Sequence, residues 1–145
     1  MADEIPAFRS DGYLPIGLYV CSEAEAVARF GNLNRKRRRL TFRVRRWCEL
    51  GRAIGAKRLL LDGSFVTAKA EPEDVDAVML LPATFTHQAE QGLEAAIELE
   101  EMFLTRQPEE IFAAEDDADW QAWYDFFSRT RETDNRRKGL VEVLL

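Results

Sequence analysis

The sequence has few of the side chains from which zinc sites and hydrolytic triads are built. His87 is its single histidine, and its two cysteines, Cys21 and Cys48, lack the close spacing of metal ligands. Histidine-ligated zinc centres and most Ser-His or Cys-His nucleophile schemes are therefore excluded. Both cysteines lie in apolar stretches, which predicts reduced thiols with a structural role.

Long apolar runs are missing too. No run approaches the roughly 20 residues of a membrane span. The start of the chain, MADEIPAFRSDGYLP, lacks the basic-then-apolar pattern of a secretory signal. We therefore expect no membrane association and a cytoplasmic location.

The chain has enough apolar residues for one core. It has 145 residues, of which 46% are hydrophobic, so we predict a single domain over residues 1–145. Prolines and glycines make residues 1–22 an extended N-terminal arm packed on that domain, with a short strand between residues 14 and 20.

Charge is distributed unevenly along the chain. Residues 1–58 hold 13 Lys and Arg against 6 Asp and Glu, whereas residues 59–145 hold 7 against 20. A dipolar surface of this kind suits a protein that docks a partner protein or forms a homodimer.

Hydrophobic periodicity predicts an α/β (α+β) fold, a small mixed sheet flanked by helices. Only twelve residues separate Leu61 from Asp74, too few for a crossover helix, so an antiparallel or mixed arrangement is favoured. Acidic residues 109–119 are interpreted as a solvated loop that caps the next helix at Asp119, with a second metal site as the alternative. The predicted strands lie near residues 58–62, 75–81 and 140–145, and the predicted helices cover residues 23–31, 35–54, 84–104 and a segment from Asp119.

The second predicted helix carries an arginine stripe. At 100° per residue, four arginines fall on one side of this helix: Arg35, Arg39, Arg43 and Arg46. Either the stripe is a solvated face paired with the acidic half of the chain, or it binds the phosphates of a nucleotide or an RNA.

The stretch Lys57 to Leu81 carries the most specific chemistry. Asp74 and Asp76 open a strand two residues apart, so their side chains are expected on one face. Two neighbouring carboxylates repel unless a cation lies between them, and oxygen pairs of this kind suit Mg²⁺. Gly63 and Ser64 end the preceding strand, and their turn would offer N–H groups and a hydroxyl to a phosphate.

The order strand, Gly-Ser, Asp-apolar-Asp, strand resembles the signature of the nucleotidyltransferase (DNA polymerase beta-like) superfamily. The wider pattern resembles a bacterial family, DUF6932, whose members look like small, divergent nucleotidyltransferases. The segments that carry this resemblance are GYLPIG (12–17), EAVARFG (25–31), LLLDGSFVTAKAEPEDVDAVML (59–80) and KGLVEV (138–143).

The resemblance implies roles for individual residues. Gly63 and Ser64 would contact nucleotide phosphates, while Asp74 and Asp76 would hold Mg²⁺ or Mn²⁺. Glu142, between two valines on the last strand, is the candidate third catalytic carboxylate. Two further loop residues are assigned to nucleotide binding, and Asp62 either orients the loop or caps the turn. The loop residues are Thr67 and Lys69.

The resemblance thus implies a metal-dependent transfer of a nucleotidyl group from an NTP to a protein or RNA hydroxyl. The setting would be a toxin–antitoxin or phage-defence system. The alternative is a catalytically inactive module of the same fold that binds a nucleotide, an RNA or a partner protein.

Overall fold

A five-stranded mixed sheet runs through the computed structural model, which describes residues 5–105 and 110–145. The strands lie in the order β1-β5-β2-β3-β4, with parallel pairs at both edges and antiparallel pairs in the middle. The predicted α+β class is confirmed. The strands are β1 (Leu18–Cys21), β2 (Arg58–Asp62), β3 (Asp76–Leu80), β4 (Glu110–Ala114) and β5 (Leu140–Val143).

The centre of the sheet follows from the leucine run in β2. Leu59, Leu60 and Leu61 are fully buried because helices cover both faces of the strand. The short connection makes β2 and β3 antiparallel, one of the arrangements that it favoured, and sets Asp62 opposite Asp76.

The helices begin and end close to the residues that the sequence indicated. Ser22 and Glu25 form a capping box at the start of the first helix, which continues as a π-helix to Gly31. Asn34 caps the second helix, and Gly55 ends it with φ of 75°. The helices are α1 (Glu23–Ala26), α2 (Arg35–Ile54), α3 (Phe85–Glu90), α4 (Glu94–Thr105) and α5 (Asp117–Phe127).

The two faces of the sheet are covered by different helices. The larger core includes Trp47 of α2 and Leu99 of α4, packed on the face that carries Leu59 and Leu61. On the opposite face, Trp120 and Phe127 of α5 pack with Leu60, Val78 and Leu140.

The predicted helix over residues 84–104 is wrong in one respect, because it is two helices. Gly92 adopts φ of 82° between α3 and α4, a left-handed conformation that interrupts the helical path.

The acidic loop predicted at 109–119 is also wrong. Residue 109 lies outside the described residues, but residues 110–114 form β4, which pairs with β3 in parallel. Ile111 and Ala114 are buried, and their contacts outweigh the acidic composition. The helix cap expected at Asp119 is Asp116, whose carboxylate accepts from the Asp119 N–H at 2.8 Å.

The N-terminal arm is held by backbone bonds at two places. The carbonyl of Gly12 accepts from the Ala68 N–H at 2.9 Å, and that of Leu14 accepts from the Gly139 N–H at 3.0 Å. The arm then enters the sheet as β1, so its last residues are strand and not only a packed extension. It thereby joins the loop after β2 to the segment before β5.

Candidate functional site

The turn after β2 requires a glycine for two reasons. Gly63 has φ of 88° and ψ of −179°, a conformation that residues with a side chain rarely adopt. A Cβ atom here would lie 3.0 Å from the Asp74 carbonyl oxygen and 3.1 Å from the Asp76 nitrogen. The missing side chain lets the start of β3 lie directly against the turn.

Ser64 and Asp74 are bonded to each other. The Ser64 N–H and hydroxyl both donate to Asp74 Oδ1, the former at 3.0 Å. The Ser64 hydroxyl oxygen in turn accepts from the backbone N–H groups of Glu73 at 2.9 Å and Asp74 at 3.2 Å. Ser64, a predicted phosphate ligand, and Asp74, a predicted metal ligand, are therefore neighbours. Their polar groups are hydrogen-bonded to each other.

Asp76 has a buried carboxylate oxygen without a partner. Its Oδ1 accepts no hydrogen bond from any residue that the structure describes. Burial first, then the negative charge of Asp74 and a hydrogen bond to Glu110, raise the pKa of Asp76 to about 8. This raised pKa makes protonated Asp76 a contribution to the stability of the fold. The contribution is fully present below the ordinary pKa of 3.8, and it is lost as the pH rises through about 8.

Glu110 is the functional candidate that the sequence did not reveal. The parallel register of β3 and β4 sets it beside Asp76, and its carboxyl group helps to raise the pKa of Asp76. The sequence feature that could have indicated Glu110 was the acidic content of residues 109–119. That segment was predicted to be a solvated loop, and a second metal site was its alternative interpretation. Without knowledge of β4, no spacing rule connects Glu110 to Asp76.

Asp62 is neutralised by a lysine. Lys138 Nζ lies 2.7 Å from Asp62 Oδ1, and both side chains are nearly buried. Burial raises the pKa of Asp62, although the charge of Lys138 acts in the opposite direction. Asp62 is thus an ion-pair partner beside Asp76, and Lys138 is a second residue that the sequence did not single out.

Glu142 is not brought to Asp74 and Asp76. Its Cα atom pairs with that of Leu60, and its carboxylate accepts two hydrogen bonds from Arg58, at 2.9 and 2.6 Å. Arg58 begins β2, whereas Asp62 ends it, so this ion pair faces the other end of the strand. The guanidinium of Arg58 lies 4.4 Å from the ring centroid of Trp120, which holds the pair over α5.

The remaining predicted loop residues have local partners. The Thr67 hydroxyl donates to the Ser64 carbonyl oxygen at 2.7 Å, which closes the turn. Lys69 is exposed, with its Nζ 3.6 Å from a carboxylate oxygen of Glu73. Neither side chain is bonded to Asp76.

A buried arginine positions this loop from behind. Arg37 of α2 is 3% exposed and has no carboxylate partner among the described residues. Its guanidinium donates to the carbonyl oxygens of Phe30 at 3.0 Å, Phe65 at 2.7 Å, Thr67 at 2.8 Å and Lys69. Burial lowers its pKa. Position 37 shares the apolar helical face of Leu40, Thr41 and Val44, and that pattern could have identified it as buried.

The arginine stripe is divided by its contacts. Arg46 binds Glu98 of α4 at 2.9 and 2.6 Å and Glu49 at 2.9 Å, which matches the paired interpretation. Arg35, Arg39 and Arg43 have no ion partner in the described ranges.

The carboxylates at this edge are not arranged as a ready-made metal site. Across residues 5–105 and 110–145, no three His, Cys, Asp or Glu side chains are grouped to hold a metal ion, and Asp74 is bonded to Ser64. Two carboxylates plus water and phosphate oxygens are nevertheless a common Mg²⁺ environment. The arrangement defines an α+β domain with an acidic edge facing a Gly-Ser turn.

Comparison with known proteins identifies the family. The model of a family of unknown function, DUF6932, matches residues 6–144, so the chain belongs to that family, as its motifs predicted. No curated protein and no solved structure matches the chain. None of the helices in the described ranges is long and apolar enough to cross a membrane.

Proposed function

We propose that this chain binds a nucleoside triphosphate with Mg²⁺ or Mn²⁺ and transfers its nucleotidyl group to a protein or RNA hydroxyl. A single observation carries the proposal: the acidic ends of β3 and β4 meet the Gly63–Ser64 turn at one edge of the sheet. The toxin–antitoxin or phage-defence setting remains a prediction of the sequence.

The residues present fit a divalent cation. Asp76 Oδ1 is buried and has no hydrogen-bond partner among the described residues, and the acids around it disfavour its ionisation. Asp74 and Asp76 would hold the ion, since hard cations prefer carboxylate oxygens. When bound, Mg²⁺ would neutralise triphosphate charge and favour the ionised form of Asp76.

The chain's own side chains would bind the phosphates and accept the proton of the attacking hydroxyl. If Asp74 turns from Ser64 to the cation, the Ser64 N–H and hydroxyl become donors for a phosphate oxygen. Glu110, more exposed than Asp76, would accept the proton of the attacking hydroxyl as that oxygen bonds to the α-phosphorus and pyrophosphate leaves. Lys69 would contact the outer phosphates.

The binding part is tested by isothermal titration with each of the four NTPs and Mg²⁺. We expect saturable binding by the wild-type protein and a loss of about 100-fold or more in Asp74→Asn/Asp76→Asn, because the variant removes two anionic ligands. Affinity should rise about tenfold per pH unit up to about pH 8, because the cation displaces the Asp76 proton.

The matched control is Asp116→Asn, which changes the same chemical group at a helix cap that asparagine also serves. This variant should bind as the wild type does. Equal binding by the double variant and the wild type would place the nucleotide elsewhere, and a silent titration of the wild type would reject the proposal.

The identity of the third carboxylate is tested by transfer. With NTPs labelled at the α-phosphate and cell extract as the acceptor source, Glu110→Gln should lower incorporation by about 10² to 10⁴. Glu142→Gln should leave it within a few-fold, because Glu142 binds Arg58. Circular dichroism of both variants separates catalysis from folding. The opposite ranking would restore Glu142 as the catalytic residue.

One observation favours the second candidate function, an inactive nucleotide-binding or regulatory module. Ser64 and Asp74 satisfy each other, and Asp62 is paired with Lys138, so part of the acidic edge is already occupied. This alternative predicts nucleotide binding without transfer to any acceptor. The binding titration and the transfer assay above together distinguish it from the enzyme.

A further inference from the structure

The outer side of α2 carries an unusual concentration of unpaired positive charge. Residues 35–46 contain eight Arg and Lys and no Asp or Glu. Arg37 is buried, and Arg45 and Arg46 pair with Glu23 and Glu98. Five cations are left without an ion partner among the described residues. With Phe42 they form what we call the α2 basic face: Arg35, Lys36, Arg38, Arg39, Phe42 and Arg43.

These charges oppose the stability of the helix that carries them. The first turn of α2 contains no acid, and it places Arg35, Lys36 and Arg38 at the positive end of the helix dipole. Arg39 lies four residues from both Arg35 and Arg43, a spacing at which like charges repel. A bound polyanion would reverse both effects.

An exposed aromatic ring lies within the basic face. Phe42 is 73% exposed, and its neighbours one turn away on the helix are Arg38 and Arg39. Unpaired nucleobases stack on rings in such settings while arginines hold the phosphates. The bases of a duplex are stacked inside the helix, and an acidic protein surface would be bound through the charges alone. The exposed ring therefore favours a single strand as the ligand.

We propose that the α2 basic face binds single-stranded RNA, with Phe42 stacking on a base. The start of α2 is fixed to the loop of the candidate site, since the Asn34 amide donates to the Ala70 carbonyl oxygen and Arg37 donates to Thr67. A strand on this face therefore lies beside that loop. The inference does not depend on nucleotide binding or transfer.

The experiment is fluorescence anisotropy of a labelled, mixed-sequence 20-nucleotide RNA with the full chain, without NTP or divalent cation. We expect saturable binding whose affinity falls steeply with salt. Arg39→Ala/Arg43→Ala should weaken it at least tenfold and make the salt dependence shallower by about 1.4 in log–log slope. Phe42→Ala should weaken it roughly 5- to 100-fold, and Phe42→Tyr should restore it.

The charge-matched control is Lys57→Ala/Arg131→Ala, which removes two exposed cations that are not part of the α2 basic face, and this variant should bind within a few-fold of wild type. A duplex of the same sequence should be insensitive to Phe42→Ala. Absence of binding at low salt, or no effect of Phe42→Ala on the single strand, would overturn the proposal. Equal competition by polyglutamate would do so too and would indicate an acidic protein partner. Because NTP is absent, failure here leaves the nucleotide proposal intact.

Discussion

Replacing Arg37 with alanine is expected to lower the free energy of unfolding by about 3 to 5 kcal/mol, enough to approach global instability. The guanidinium donates to four backbone carbonyls from a position that is 3% exposed. Only the bonds to Phe30 and Phe65 are buried, and each buried carbonyl left without a donor costs about 1 to 3 kcal/mol. The bonds to Thr67 and Lys69 are partly buried, so water can replace the lost donor there, and the emptied volume adds a further loss. Urea denaturation followed by tryptophan fluorescence measures the change.

Two variants bracket this result. Arg39→Ala, on the same helix but exposed and without an ion partner in the described residues, should change stability by at most about 0.5 kcal/mol. Arg37→Lys keeps the charge but has three donors for four carbonyls, so its loss should be intermediate. If Arg37→Ala unfolded within about 1 kcal/mol of the wild type, the loop from Phe65 to Lys69 would not depend on this side chain.

Gly63→Ala is expected to destabilise the fold by about 3 kcal/mol and to disrupt the candidate site. The strained backbone conformation contributes about 1 to 3 kcal/mol. The new Cβ would meet backbone atoms of Asp74 and Asp76 at 3.0 and 3.1 Å, and such overpacking adds a similar amount. Thermal melting, with and without Mg²⁺ and NTP, should show a lower midpoint and no shift on adding ligand.

Gly55→Ala provides the comparison for Gly63. Gly55 also has a positive φ, of 75°, but nothing lies within 4 Å of its Cβ position. This variant should cost only about 1 kcal/mol, the penalty of the left-handed conformation, and should keep any ligand response. Similar losses in the two variants would mean that the close approach of β3 to the turn adds nothing.

Local patterns were enough for much of the fold. The Leu59–Leu61 run predicted β2, Asn34 and Gly55 bounded α2, and the short connection favoured the antiparallel β2–β3 pair. Each depends on neighbours in sequence, where capping, turn and burial preferences act directly. The Gly63 turn also belongs to this class.

The features that escaped prediction depend on contacts between distant residues. β4 is recognised as a strand through its pairing with β3, and only that register sets Glu110 beside Asp76. Glu142 resembled a catalytic acid because the valines on either side of it are visible in the local sequence. Its ion-pair partner, Arg58, is 84 residues away and could not be inferred from that sequence. The acidic edge was therefore predicted in part: Asp74 and Asp76 were expected there and Glu110 was not, while Glu142 lies beside Arg58 at the other end of β2.

The position of β5 has a consequence for the order of folding. β5 comes last among the described strands in sequence, yet it lies between β1 and β2 in the sheet. Leu18 pairs with Leu140, so closing this pair requires ordering a very long loop, whereas the β2–β3 hairpin closes a short one. High contact order slows folding, and the hairpin that carries the Gly-Ser turn and both aspartates is expected to form early. The candidate site would then take shape before the sheet around it is complete.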